Sequence, residues 1–380
     1  MIKVLTIIGT RPEAIKLAPV IKSMERHKDK FSSVVCVTAQ HREMLDQVLN
    51  LFQIAPSYDL NIMRSGQSIS DVTTEVVRQL ENIFSAEKPD LVFVQGDTTT
   101  TFAACLSAFY HKIKIAHVEA GLRTHDKYQP FPEEMNRKLT GALADHHFAP
   151  TEKAMMNLLN EGIDKKNIVI TGNTGIDALF MVLEQSKKVR RKKNVISTLL
   201  NIPEGKRLIL VTAHRRENFG ANFRNICRAL VRIVQKNKNV IIFYPIHPNP
   251  NIRNSASKLL DKHDRIILSN PLEYGHFVEM MDKAYLILTD SGGIQEEAPY
   301  LGKPVLVMRN VTERTEAIIS GTTKLVGTDT SVIVREVQRL LDDRDEYLKT
   351  SRSKKPFGDG KASDRIIKHI LKTFKKRIHA

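Results

Sequence analysis

The sequence predicts a parallel-sheet α/β protein, two doubly wound domains facing each other across a cleft, on three observations. Short β-branched runs alternate with helical patterns from one end to the other. A chain of 380 residues is long enough for about two or three domains, each with its own core. Glycines and charged residues recur just after the strand runs, which is where open α/β sheets bind ligands.

In the first half, strands are expected at 3–8, 34–38, 91–95, 113–118, 146–149 and 168–171. The second half repeats the pattern at 208–212, 240–245, 266–268, 286–289, 305–308 and 324–326. Between the halves lie a basic run at 187–193 and the segment Asn201-Ile202-Pro203-Glu204-Gly205, read as an interdomain stretch. Residues 1–190 are therefore expected to form the first domain and 191–357 the second. Pro356-Phe357-Gly358-Asp359-Gly360 breaks the chain, and Ser363 is placed to cap a last helix. Ile366, Ile367, Ile370, Leu371 and Phe374 share one face of that helix, so residues 358–380 are expected to cross back and bury the stripe on the first domain.

Composition narrows the class. Apolar residues are 42% and charged residues 26% of the chain, the balance of a globular protein. No stretch approaches the roughly 20 uncharged apolar residues of a membrane span. Met1–Ile8 runs straight into Gly9-Thr10-Arg11-Pro12-Glu13 without the charged region or cleavage site of a secretory signal. Cys36, Cys105 and Cys227 are too scattered for a disulfide framework or a cysteine zinc site. A soluble cytoplasmic protein is expected. The net charge of +16 would suit nucleic acid, a membrane surface or an anionic small molecule. Much of the excess sits in 187–193 and 372–377, with no interleaved aromatics and no tryptophan, so solvated basic surface explains it and neither nucleic acid nor membrane is expected as a partner.

The chemistry is carried by the strand ends. After the first strand, Thr10 suits an N-cap, Pro12 a first helical turn and Glu13 the positive end of the helix dipole. Arg11 and Lys16 oppose that dipole, a conflict that an anion bound there would resolve. The segment is neither G-x-G-x-x-G nor a P-loop, so nicotinamide redox chemistry and nucleoside triphosphate hydrolysis lose their main support. Asp97, Glu119 and Glu133 follow in comparable positions. Taken singly, Asp97 reads as an N-cap and Glu133 as a dipole partner; three carboxylates around one cleft point to acid–base work. No spacing ties them to histidines, so no metal site is expected. In the second half His214 stands at a strand end beside Arg215 and Arg216, poised toward an anion. Asp290-Ser291-Gly292-Gly293 opens a helix whose backbone N–H groups can approach a phosphate, with Glu297 about one turn on for ribose hydroxyls.

These segments, Gly9–Lys16, Gln95–Thr98, His117–Arg123, His214–Asn218, Asp290–Glu297, Gly302–Arg309 with Thr312–Arg314, and Gly358–Ser363, resemble the bacterial non-hydrolysing UDP-N-acetylglucosamine 2-epimerases nearly end to end. The resemblance implies the glycosyltransferase-B fold of two Rossmann-like domains, usually in a homodimer, and interconversion of UDP-GlcNAc and UDP-ManNAc without an added cofactor. It implies that Arg11, Lys16, Asp97, Glu119, Glu133 and His214 surround the sugar and diphosphate, and that Phe277, Ser291, Gly292, Gly293, Glu297 and Arg314 hold the UDP. Leu272 stands where some members carry a glutamine for the nucleotide. Some bacterial members bind a second UDP-GlcNAc as activator through residues matching Gln40, His41 and Gln67; Gly66 stands where an arginine is often found.

The chemistry such an enzyme needs agrees with these residues. The sugar C2 proton has no adjacent carbonyl, so loss of UDP must first build positive character at C1. Elimination to 2-acetamidoglucal, then re-addition with the proton delivered to the other face, needs cations for the diphosphate, carboxylates on both faces and domain closure against water. Asp97, Glu119 and Glu133 are the candidates for acid and base, with the roles among them open. The alternatives are a glycosyltransferase of the same fold, a hydrolysing epimerase that releases free ManNAc, and a basic nucleotide-sugar- or nucleic-acid-binding protein.

Overall fold

A computed structural model of the chain describes residues 1–38, 42–64, 66–190, 205–247, 249–352 and 355–378. Gln40 and His41, residues 191–193 of the basic run and residues 201–204 lie outside the described residues. The chain divides into two compact units, Met1–Met181 with Phe357–Ala380, and Val182–Pro356.

The first unit is one seven-stranded sheet. Its strands are β1 (Ile2–Ile8), β2 (Phe31–Val37), β3 (Tyr58–Asp59), β4 (Leu91–Gln95), β5 (Lys114–Val118), β6 (His146–Ala149) and β7 (Ile168–Ile170), in the order β3-β2-β1-β4-β5-β6-β7. All pairs are parallel. Strands such as Leu91–Gln95 are apolar almost throughout because helices cover both faces of the sheet. The helices are α1 (Arg11–Glu25), α2 (Arg42–Leu51), α3 (Ile69–Glu87), α4 (Thr99–Tyr110), α5 (Glu133–Leu143), α6 (Glu152–Asn160) and α7 (Thr174–Arg190). Val72, Val76, Leu80, Ile83 and Phe84 of α3 recur at helical spacing and pack with Ala103, Ala104 and Ala108 of α4 against Leu5, Val92 and Val94 of the sheet.

The last helix, Ala362–Ile378, belongs to this unit and lies along α1, with Ile366, Ile367 and Ile370 buried. Ser363 is not its cap, because the helix already includes Ala362. The Ser363 hydroxyl donates instead to Asp177 Oδ1 at 2.7 Å, and the amides of Ala362 and Ser363 donate to the same carboxylate. Thr10 occupies the N-cap position of α1 without a side-chain capping bond. The strand β3 escaped the sequence pattern: two residues long at the sheet edge, it has no alternation to read.

The second unit is a six-stranded parallel sheet in the order β10-β9-β8-β11-β12-β13, from β8 (Arg207–Thr212), β9 (Val240–Pro245), β10 (Ile266–Ser269), β11 (Leu286–Thr289), β12 (Val305–Val307) and β13 (Thr323–Leu325). Both units thus have the Rossmann-like order that reverses direction beside the first strand. The helix Ala221–Lys236 buries Phe223, Ile226, Cys227, Leu230, Ile233 and Val234 on the sheet. Among the described residues no helix is long and apolar enough to cross a membrane.

Candidate active site

In the first unit the strand order reverses between β1 and β4, which opens a crevice beyond their carboxyl ends. Arg11 and Lys16 lie in α1 after β1, Asp97 follows β4, Glu119 follows β5 and Glu133 opens α5.

Glu119 is buried, and its backbone is left-handed (φ 65°). That conformation costs a side-chain-bearing residue about 1–3 kcal/mol and persists only where its surroundings over-determine it. The surroundings do so here. The carboxylate accepts from Lys16 Nζ, from Gln95 Nε2 at 3.0 Å and from Asn173 Nδ2 at 2.7 Å. The anion that Lys16 meets at the start of α1 is therefore a carboxylate of its own chain.

Asp97 is not an N-cap. Thr98 caps α4 by accepting from the Thr101 amide at 3.1 Å, and the Asp97 carboxylate takes Nε and Nη2 of Arg137 at 2.9 and 2.6 Å. Arg137 also donates to Glu134 at 3.0 Å. Glu134 is fully buried and accepts the amides of Thr124 and His125 at 3.0 Å each, tying the loop before α5 to the helix. Burial alone would raise its pKa, but those two amides and the guanidinium outweigh it and hold the carboxyl below its usual range. Glu133, one residue earlier, has Oε2 shielded from solvent with no hydrogen-bond partner among the described residues.

Glu13 lies in the first turn of α1, as expected of a dipole partner. It is buried, receives the hydroxyls of Thr98 and Thr101 at 2.9 Å each, and burial pushes its pKa up. Desolvation here outweighs the dipole. His117 is also fully enclosed: Nε2 donates to the Gly96 carbonyl at 2.8 Å, and burial pushes its pKa down to about 3, so it is neutral and structural. Arg11 has Nη1 at 4.0 Å from Met44 Sδ. Gln67 serves its own loop, donating to Ile62 O at 2.7 Å and accepting the Arg64 amide at 2.8 Å.

In the second unit the order reverses between β8 and β11. Asp290, fully buried after β11, accepts the amides of His214 and Arg215 at 2.9 Å each and Asn218 Nδ2 at 3.0 Å. His214 Nδ1 is 3.3 Å from Asp290 Oδ1, and its ring stacks on His247 with centroids 5.6 Å apart. Burial pulls the imidazole pKa down and Asp290 pulls it back up.

The turn after β11 is shaped by a guanidinium. A Cβ on Gly292 would sit 3.0 Å from Arg314 Cζ, whereas one on Gly293 would meet nothing within 4 Å. Arg314 donates Nε to Glu296 at 2.9 Å and Nη1 to Glu313. Arg309 also reaches Glu313, at 3.1 Å. Burial alone would raise the Glu313 pKa, but Arg314, Arg309 and Arg215 together hold it far below the usual range. Glu297 accepts the Tyr274 hydroxyl at 3.2 Å, and Phe277 lies half-buried in the same helix as Tyr274, Tyr274–Lys283. Ser291 precedes the short helix Gly292–Glu297 and its amide donates to Thr289 Oγ1 at 2.9 Å.

Apart from Gln67 and Arg314, which lie in the segments leading into helices, each sequence-predicted residue within the described region lies at a strand end or in the helix that follows. Sequence reasoning missed Arg137, Asn173 and the anchoring by Asp290. Asn173 lies just after β7, so the strand-end rule could have found it; Arg137 is one turn on from Glu133 on α5, a spacing that marks a shared face. A groove of about 770 Å³ lined by Arg232, Lys236, Arg335 and Arg339 contains none of these residues. Among the described residues, no group of three or more His, Cys, Asp or Glu is placed to hold a metal ion.

The family model described as UDP-N-acetylglucosamine 2-epimerase matches residues 22–371. The UDP-N-acetylglucosamine 2-epimerase of Escherichia coli K12 is 54% identical over 372 residues, 97% of this chain and 98% of that protein. The crystal structure of UDP-GlcNAc 2-epimerase from Neisseria meningitidis bound to UDP-GlcNAc is 48% identical, covers 98% of this chain and 100% of its own, and superposes with a TM-score of 0.93. The Methanocaldococcus jannaschii UDP-GlcNAc 2-epimerase in complex with UDP-GlcNAc and UDP is 35% identical, with a TM-score of 0.83 over 97% of this chain and 99% of its own.

Proposed function

The chain belongs to the UDP-N-acetylglucosamine 2-epimerase family, and from that premise we propose that it interconverts UDP-GlcNAc and UDP-ManNAc without hydrolysis, supplying ManNAc units for cell-surface polysaccharide. The observation that carries the reading is the pair of carboxylates at successive strand ends, Asp97 on Arg137 and Glu119 on Lys16, Gln95 and Asn173. Glu133 has a shielded oxygen left over for a proton.

In the reaction the C1–O bond breaks and UDP departs with the electron pair, while a carboxylate takes the C2 proton and C1=C2 forms. UDP then adds back to C1, and an acid delivers a proton to the opposite face of C2. Asp97, Glu119 and Glu133 serve as base and acid, worth about 10²–10⁴ in rate each. Arg11, His214 and Arg314 meet the developing negative charge on the diphosphate, with the backbone at Ser291, Gly292 and Gly293, while Lys16 stays with Glu119. Phe277 and Glu297 hold the uridine. An activator site at Gln40, His41 and Gln67 is part of the same reading, as is a homodimer in the cytoplasm. The free, buried thiols of Cys36, Cys105 and Cys227 suit a reducing compartment.

Proton NMR of UDP-GlcNAc incubated with the protein in D₂O tests this. Appearance of UDP-ManNAc carrying deuterium at C2 is the expected result. Retention of configuration at C2 would mark a transferase, and free ManNAc with UDP a hydrolysing enzyme.

A further inference from the structure

The chain crosses back into the first unit at Phe357–Gly358, and that crossing touches the group that orients Glu119. The Asn173 amide donates to the Phe357 carbonyl at 2.7 Å. Gly172 and Gly358 face each other so closely that a Cβ on Gly172 would lie 3.0 Å from the Gly358 Cα, and one on Gly358 2.9 Å from the Gly172 Cα. Both have positive φ, 86° and 110°, so only glycine fits either position well. From this clamped turn the Asn173 side chain reaches in two directions, accepting the Gly175 amide at 2.9 Å and donating to Glu119 Oε2 at 2.7 Å.

Further bonds make the clamp stiff. Arg365 donates to Thr171 O at 3.0 Å while it holds Asp359 with both nitrogens, at 2.7 and 2.8 Å. Asp177 takes the start of the last helix, as described above. Asp364 receives Ser23 at 3.2 Å, on α1, and Arg26 at 2.9 Å, just past the end of α1, the helix that carries Lys16. Two of the donors to Glu119, Lys16 and Asn173, are thus braced by a segment more than 230 residues downstream of Glu119 in the sequence.

We propose that Asn173 is a positioning residue for Glu119 and that the Phe357–Gly358 backbone holds it in place, so that the returning chain sets the aim of this carboxylate. The inference rests on the epimerase reading. A side-chain amide can donate to Glu119 without adding charge, which keeps a carboxylate ionised beside it and fixes the oxygen that faces the sugar.

Asn173→Ala, Asn173→Asp and Gly358→Ala test it, with kcat, KM and a pH profile for each, and UDP affinity and melting temperature as controls. Asn173→Ala is expected to lower kcat about 10–100-fold with KM and UDP affinity within about threefold, and Gly358→Ala to lower kcat about tenfold in the same pattern. Asn173→Asp sets two carboxylates against each other, so whichever limb of the profile Glu119 controls moves to higher pH by about one unit or more. The melting temperature of each variant, taken at every pH of the profile, separates a moved limb from acid unfolding. Wild-type kcat with an unmoved limb in Asn173→Asp would overturn the proposal while leaving the epimerase reading intact. Absence of UDP-ManNAc formation by the unaltered protein would sink both.

Discussion

His214 and Asp290 are joined at two points. The His214 amide donates to Asp290 Oδ2 at 2.9 Å, and the ring Nδ1 lies 3.3 Å from Oδ1 of the same carboxylate. One side chain therefore places both the loop after β8 and the imidazole that it carries. Its charge also opposes the burial that lowers the imidazole pKa.

Asp290→Asn should leave His214 with burial and the charge of Arg215, both of which lower its pKa, so the imidazole stays neutral to lower pH. NMR titration of labelled histidine reads the shift directly. The rate limb that depends on imidazolium should move down in pH with it, and an unchanged His214 titration would contradict the arrangement.

Arg137 connects Asp97 to Glu134, and Glu134 is fully buried. Arg137→Met should therefore cost about 3–5 kcal/mol, because it strands a buried charge. Urea denaturation measures that loss. Turnover should fall more than folded population alone accounts for, since Asp97 loses its guanidinium as well.

The two glycines after β11 should separate under the same substitution. Gly292→Ala pushes a methyl into Arg314 and should lower the melting temperature, by about 1–3 kcal/mol in stability. Gly293→Ala meets open space in the free protein, so its melting temperature should stay at the unaltered value. Calorimetry should find UDP binding weakened in both, in Gly292→Ala through a displaced Arg314.

Three buried imidazoles in the first unit set its acid stability. Burial pushes His117 down to about 3 and His146 and His147 to about 4. Above pH 6.5 both folded and unfolded chains hold them neutral. As pH falls from about 6.5 toward 4, the unfolded chain binds protons that the folded chain refuses, and stability drops by roughly a few kcal/mol. Urea midpoints at pH 7.5 and 5 should differ accordingly, and His147→Leu should reduce the difference by about a third.

The strand ends were legible because the chemistry of an open α/β sheet gathers there, and Asp97, Glu119, His214 and Ser291 all obey that rule. Their partners were not. Asn173 reaches Glu119 across 54 residues and Arg137 reaches Asp97 across 40, and only the lateral order of the strands brings them together. Local rules placed Glu13 in the first turn of its helix, where it lies, but were silent on its burial, which depends on what packs above it. For Lys16 the dipole argument looked to a bound anion, and sequence alone had no means of showing that Glu119 meets the ammonium.

Because Phe357 and everything after it complete the first unit, a ribosome must traverse all of Val182–Pro356 before that unit can close. Until then α1 presents to solvent the apolar seam later covered by Ile366, Ile367 and Ile370. A message truncated a few dozen codons early would thus yield a product with that seam uncovered in its earliest-made half.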